Sequence, residues 1–169
     1  MHDQSVELER ERRTAQWRLQ QQYAQRVREQ RERLEREREY DYWQDPYFYT
    51  PSSYRYSRGG RYYETNKYGA RVLERAVQFG YDEGFRAGEA DREDGWKPSY
   101  RDSYAYQDAD YGYEGRYVDP DDYRHYFREG FRRGYDDGYQ SEQRYGRYAD
   151  GKYSILGEVL ASILNLQTE

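Results

Sequence analysis

The chain of 169 residues carries 28 basic and 33 acidic side chains, a formal net charge of −5, and its isoelectric point near 5.3 gives no overall attraction to nucleic acid. It has no cysteine, which excludes disulfides and thiol catalysis, and only two histidines, which argues against a zinc site. The sequence also contains no run of about 20 apolar residues, the length that a membrane-spanning helix needs. Aliphatic residues are scarce, as in disordered chains, but 24 tyrosines supply apolar ring area. We therefore expect a mainly α, partly disordered chain with a thin aromatic core.

The first segment, residues 1–39, is predicted to be one charged, solvated helix. Residues 5–39 are nearly all Arg, Glu and Gln, which favour helix, and they contain no Gly or Pro. Opposite charges recur at helical spacing, as in Glu29 and Arg33. The sparse apolar residues form no sustained heptad seam, so a weak coiled coil is the second interpretation. Nucleic-acid binding by a basic helix is disfavoured because Glu nearly cancels Arg.

The second segment, residues 40–66, is predicted to be a Tyr-rich irregular arm that lays its rings on the folded part. Two prolines and the pair Gly59 and Gly60 interrupt any helix, and aromatic residues are dense. The alternative is an adhesive segment for RNA or self-association, for which the basic charge comes only from Arg55, Arg58 and Arg61.

The third segment, residues 67–169, is predicted to be a small helical module. A helix over 67–93 ends at Asp94–Gly95, and a short helix is expected around 101–111. Another helix begins with Asp119 as N-cap and Pro120 as its first residue, and it runs to about Tyr139. A loop is expected to follow, and residues 153–166 have the spacing of an amphipathic helix.

The two long helices of the module carry glycine at every fourth position. "GYDEGFRAG" at 80–88 and "GFRRGYDDG" at 130–138 form an internal repeat. A glycine inside a helix costs about 1 kcal/mol relative to alanine, so a compensating gain is needed. Small residues at this spacing let two helix backbones approach closely. We expect the helices to pack on each other or on copies in a second chain, the alternative being a flexible segment. The predicted packing residues are Ala76, Gly80, Gly84, Gly88, Gly130, Gly134 and Gly138.

The apolar face of the last helix is the second candidate interaction surface. It is expected to dock on the module, to pair with a second chain, or to lie in a membrane interface. The last option is disfavoured because the polar face lacks basic residues. The predicted self-association residues are Ile155, Leu156, Val159, Leu160, Ile163 and Leu164.

No constellation of residues predicts catalysis, a cofactor or a metal. The carboxylates, among them Glu83, Asp91 and Asp137, are expected on solvated helix faces beside arginines. His125 is expected to be a surface residue, and no Ser-His-Asp set can be assembled. Asp108, Asp110 and Gly112 match a calcium loop poorly. We therefore expect no enzyme, no cofactor and no metal.

The blocks "YGARVLERAVQFGYDEGFRAGEADREDGW", "YVDPDDYRHYFREGFRRGYDDGY" and "YSILGEVLASILNL" resemble a group of uncharacterised bacterial proteins with paired glycine–aromatic helices and an apolar C-terminal helix. The resemblance covers residues 54–166 and implies no activity. It implies an envelope or secreted location, although no signal peptide follows Met1, so the localisation stays open.

The function expected from the sequence is a non-enzymatic structural or scaffolding role through helix–helix self-association, with a homo-oligomer as the implied partner. The alternative is a Tyr/Arg-rich binding module for RNA or carbohydrate, with tyrosine rings stacking on bases or sugars and arginines contacting phosphate. Nucleic acid is disfavoured by the net charge but not excluded.

Overall fold

The computed structural model describes residues 2–37, 41 and 43–168 and confirms a mainly α fold class. The helices are α1 His2–Arg10, α2 Thr14–Arg36, α3 Lys67–Glu93, α4 Tyr104–Asp108, α5 Pro120–Gln140 and α6 Gly157–Leu164. The strands are β1 Tyr54–Arg58, β2 Arg61–Thr65, β3 Gly146–Ala149, β4 Lys152–Ile155 and β5 Gln167–Thr168. Short 3₁₀ helices cover Pro46–Tyr49 and Tyr100–Asp102. Within these described ranges, no helix is long and apolar enough to traverse a bilayer.

Helices α3 and α5 begin at side-chain caps. The Asn66 side chain accepts hydrogen bonds from the backbone N–H groups of Tyr68 and Gly69 at the start of α3. At the start of α5, the Asp119 side chain accepts one from the N–H of Asp121, and proline occupies the first helical position. Each cap satisfies backbone donors that have no partner inside the helix. Both starts lie where the sequence predicts them.

The glycines of α3 and α5 lie in the contact between these two helices. A Cβ atom added to Gly80 would overlap the carbonyl oxygen of Phe127, and one added to Gly84 would overlap that of Phe131. Because both partner numbers increase together, the helices run parallel. The glycine Cα–H groups therefore point at carbonyl oxygens of the facing helix, the geometry of weak Cα–H···O bonds. Gly88 faces the carbonyl of Tyr135 in the same way, while Gly130, Gly134 and Gly138 face Val77, Tyr81 and Phe85.

Two buried Tyr–Asp pairs link the same helices across this seam. The hydroxyl of Tyr81 donates to Asp137 at 2.7 Å, and the hydroxyl of Tyr135 donates to Asp91. Both carboxylates are at most 1% exposed. Burial raises the pKa of Tyr81 and of Tyr135, so both phenols stay protonated and continue to donate.

The Tyr–Asp pairs follow a register set by the glycines. Each aspartate lies three residues after the glycine that faces its tyrosine: Gly134 precedes Asp137, and Gly88 precedes Asp91. At Gly84, which faces Phe131, the corresponding residue is the fully buried Ala87, whereas at Gly80, which faces Phe127, it is the buried Glu83, which Arg26 binds. Each buried carboxylate at these positions therefore has a hydroxyl or guanidinium donor as its partner.

The first segment is two helices rather than one solvated helix, which corrects the prediction for 1–39, of which residues 1, 38 and 39 lie outside the described ones. The break falls at Arg12, whose φ is 59°. Helix α2 packs on α3 and buries Tyr23, and Gln16 donates to Asp91 at 2.6 Å. Arg26 bonds both carboxylate oxygens of the buried Glu83. The buried residues of α2 are Gln16, Gln20, Tyr23 and Ala24, a mainly polar set that an apolar pattern does not detect.

Two antiparallel hairpins replace predicted irregular segments. Strands β1 and β2 lie within the predicted arm, of which residues 40 and 42 are outside the described part. Strand β3 lies in the predicted loop, and β4 extends from the end of that loop into the predicted last helix. Their two-residue turns are Gly59–Gly60 and Asp150–Gly151, with positive φ at both positions, as type I′ turns require. Strand β5 pairs with β1, placing Tyr54 opposite Thr168.

The predicted last helix also needs correction, because residues 153–155 belong to β4 and α6 begins only at Gly157. One core joins all three predicted segments: Tyr23 of α2, Tyr56 of β1 and Leu164 of α6 belong to the same buried cluster as the aromatic residues of α5. The chain therefore does not separate into a free helix, an arm and a module.

Candidate functional site

A cleft of about 750 Å³ lies between residues 98–101 and the C-terminal half of α5. This volume is typical of small-ligand sites. We call it the Tyr/Arg cleft because rings and guanidinium groups dominate its lining. They belong to Tyr100, Tyr135, Tyr139 and Tyr145, and to Arg101, Arg132 and Arg133.

Hydrogen bonds fix the rings of this cleft. The Tyr139 hydroxyl donates to the carbonyl oxygen of Trp96 at 2.6 Å. The Tyr135 oxygen, which donates to Asp91, also accepts from the backbone N–H of Ser99 at 2.8 Å. These two tyrosines hold the chain that follows α3 against α5, and their rings stack on each other with centroids 6.1 Å apart. The cleft walls are therefore preorganised rather than mobile.

Three guanidinium groups and the carboxylate of Asp136 line the cleft. Arg101 Nε donates to the phenol oxygen of Tyr100 at 3.2 Å, and this hydrogen bond, together with nearby Arg132, lowers the pKa of Tyr100. Wherever else in the described chain a tyrosine pKa is shifted, it is raised. Burial raises the pKa of Glu129, but hydrogen bonds from Arg133 and Arg132 outweigh burial and keep that pKa below its usual value. The carboxylate is thus ionised at neutral pH and offsets part of the positive charge.

A second depression of about 380 Å³, which we call the α5 groove, adjoins the first along the helix. Arg132 lines both. Arg128 donates to the carbonyl oxygens of Tyr106 at 2.9 Å and Gln107 at 2.7 Å, and it has no carboxylate within ion-pair distance in the described chain. Arg124 is paired with both oxygens of Asp110. The remaining lining side chains are those of Arg58, Asp121, His125 and Glu129.

His125 lines the α5 groove. Its side chain is half-buried, and this burial lowers its pKa, so the imidazole is neutral at pH 7. The ring packs edge-on against Tyr126 with centroids 4.9 Å apart. The acidic neighbours Glu129 and Asp122 only partly oppose the effect of burial.

The predicted interaction residues lie mostly inside the molecule. The glycine seam and the fully buried Ala76 belong to contacts within the chain. Helix α6 docks on the core of the same chain. Leu164 is buried in that core, and Leu160 and Ile163 of α6 pack against it together with Ile155 of β4. Leu156 and Val159 are half-exposed. The glycine seam is therefore occupied within the chain, whereas five of the six predicted self-association residues stay partly exposed.

Several carboxylates predicted on solvated faces are buried instead, which corrects that expectation. Glu83, Asp91 and Asp137 are at most 2% exposed, and each binds donors from another element. Asp108 accepts from the Tyr23 hydroxyl at 2.6 Å and Asp110 holds Arg124, so the aspartates of the weak calcium-like motif have structural partners. Over residues 2–37, 41 and 43–168, no three potential metal ligands cluster.

Sequence reasoning missed the Tyr/Arg cleft because it placed the arginines of α5 on an ordinary solvated face. The run from Arg132 to Tyr139 holds two arginines, two aspartates and two tyrosines around two glycines, and this mixture gives no local signal of a cleft. Comparison of the chain with protein-family models, curated proteins and solved structures gave no match. Any functional conclusion therefore depends on the geometry of the site.

Proposed function

We propose that the protein is a non-enzymatic binding module whose Tyr/Arg cleft holds an anionic, ring-bearing ligand, with single-stranded RNA as the favoured class. The observation that supports it is the convergence of Arg101, Arg132 and Arg133 around fixed tyrosine rings in one cleft of about 750 Å³. Stacking of a base on an aromatic ring contributes about 1–3 kcal/mol, and a guanidinium group can bind phosphate through two parallel hydrogen bonds.

The electrostatics of the cleft support an anion. The chain as a whole has a net charge of −5, so nonspecific attraction to a polyanion is weak. Three arginines and one aspartate, Asp136, line the cleft, so its lining carries a local excess of positive charge. A ligand attracted to this cleft is therefore selected by local rather than global charge.

The packing of the chain favours binding over scaffolding. The glycine seam is occupied by α3 and α5 of the same molecule, and α6 rests on its own core. A non-enzymatic role fits the buried carboxylates, which hold tyrosine, arginine and glutamine side chains of neighbouring elements and face no cleft as a pair.

Fluorescence anisotropy with a labelled oligouridylate of about eight nucleotides tests the proposal. Arg101→Gln is the informative variant because the Arg101 side chain is exposed and donates to the Tyr100 hydroxyl oxygen, which no part of the core depends on. We expect a roughly fivefold loss of affinity at about 50 mM salt, and a salt slope smaller by about 0.7, the value for one phosphate contact on a single strand. Arg71→Gln is the matched control, since Arg71 is exposed on α3 and lines neither depression.

Two results would contradict the proposal. One is absence of binding at low salt; the other is an equal effect of Arg101→Gln and Arg71→Gln, which would make the attraction nonspecific. Heparin and a neutral maltooligosaccharide serve as competing ligands. If the neutral sugar binds and the oligouridylate does not, the ligand class is carbohydrate and the choice of RNA is wrong.

A further inference from the structure

We infer that the bound RNA continues from the Tyr/Arg cleft past Arg132 into the α5 groove, so that a single strand lies along the outer face of α5. This inference rests on the proposed function and adds the path and minimum length of the ligand. It assigns Arg128 as a phosphate-contacting residue, although Arg128 lies outside the cleft that defines the function.

One shared side chain and one contact between aromatic rings connect the two depressions. Arg132 lines both of them. Tyr100 lines the cleft and Tyr106 the groove, and their rings meet edge to face with centroids 5.2 Å apart. An aromatic floor with a cation at the boundary therefore joins the two depressions, as a strand that alternates bases and phosphates requires.

The arginines of α5 are spaced along one line. Arg124, Arg128 and Arg132 follow each other at four-residue intervals, so successive side chains advance about 6 Å along the axis. This interval is comparable to the separation of successive phosphates in an extended strand. From Arg124 to Gln140 the helix spans about 24 Å, which suits the lower end of single-strand site sizes, about four nucleotides.

The charge along this path is only partly neutralised by the protein. Asp110 and Asp121 bind Arg124, and Glu129 binds Arg132 and Arg133. Arg128 is held only by backbone carbonyls, with its guanidinium 5.6 Å from the Tyr106 ring centroid. Its charge is fixed in position and has no carboxylate partner in the described chain. A phosphate can therefore pair with this guanidinium group without displacing a carboxylate.

The test compares oligouridylates of about two, four, eight and twelve nucleotides on the unaltered protein. We expect affinity to rise at least tenfold between about two and four nucleotides and then to change little, because a longer strand leaves α5. A dinucleotide that binds as tightly as the longer strands would overturn the inference while leaving the proposed function intact. If no length binds at low salt, both fail.

Arg128→Gln then locates the path. We expect it to weaken the longer strands about fivefold and to leave dinucleotide binding unchanged, whereas Arg101→Gln weakens both. Because Arg128 also ties α4 to α5, circular dichroism melting checks that the variant is folded. If it is not, Arg128→Lys, which keeps the charge, is expected to restore binding of the longer strands. Equal affinity of Arg128→Gln and the unaltered protein for long strands would contradict the assignment.

Discussion

Replacing Gly84 with alanine tests whether backbone contact between α3 and α5 holds the fold together. The new Cβ would overlap the Phe131 carbonyl oxygen and lie 2.8 Å from its carbonyl carbon and Cα, whereas carbon atoms prefer about 3.5–4.0 Å. The obstacle is helix backbone, so the two helices must separate by about 1 Å. A gap of that size forfeits roughly a quarter to a half of the dispersion attraction across it.

The expected net effect is a loss of about 2–3 kcal/mol of unfolding free energy. Overpacking and lost contacts together cost about 3–4 kcal/mol, and the higher helix propensity of alanine returns about 1 kcal/mol. For a chain of this size the melting temperature should fall by roughly 5–10 °C. Circular dichroism melting and urea titration measure both quantities.

Gly157→Ala is the matched control, because Gly157 begins α6 and a Cβ there meets no atom within 4 Å. This variant should melt within about 1–2 °C of the unaltered protein. If Gly84→Ala melts as high as Gly157→Ala or higher, the helices do not depend on close contact at the glycines and the packing argument is wrong.

Two further predictions concern the tyrosines. Tyr81→Phe should lower the free energy of unfolding by about 1 kcal/mol, because Asp137 loses one hydrogen bond and keeps those from two backbone N–H groups. The control is Tyr62→Phe, at a ring 68% exposed, which should leave the free energy of unfolding from urea titration unchanged. Burial raises the pKa of Tyr126 to about 12, and burial with a hydrogen bond to Asp45 does the same for Tyr117. Their stabilisation is complete below about pH 10, the unfolded pKa, and is lost as pH rises towards 12. Tyrosinate absorbance should therefore show a late phase coincident with unfolding by circular dichroism; a single phase near pH 10 in a folded protein would contradict it.

The helices of the glycine repeat could be read from sequence because their signals are local. A small residue at every fourth position has a known cost that only close approach offsets, and the caps at Asn66 and Asp119 are short motifs. The parallel orientation of α3 and α5, however, could not be predicted from the sequence. It follows from the return of the chain over residues 94–119, which brings the start of α5 back beside the start of α3.

The burial of α2 and the Tyr/Arg cleft could not be predicted because both depend on polar contacts far apart in sequence. Gln16 and Arg26 look like solvent-exposed helix residues until Asp91 and Glu83 are placed opposite them. The Gly-Gly and Asp-Gly turns are typical of hairpins, but the strands beside them are short and charged. The glycines are therefore interpreted from sequence as residues that interrupt a helix in an irregular segment.

The glycine seam also explains why the proposed site lies on α5. Direct backbone contact displaces the aromatic residue after each glycine to the side of the helix pair, where Tyr135 reaches Asp91 and Tyr139 reaches the carbonyl of Trp96. The Tyr139 bond, together with the bond from the Ser99 N–H to the Tyr135 oxygen, folds residues 96–99 over the end of α5 and thereby forms the second wall of the cleft. The same rings that cover the seam therefore define the binding surface, so the unusual glycine content is a condition for the site as well as for the fold.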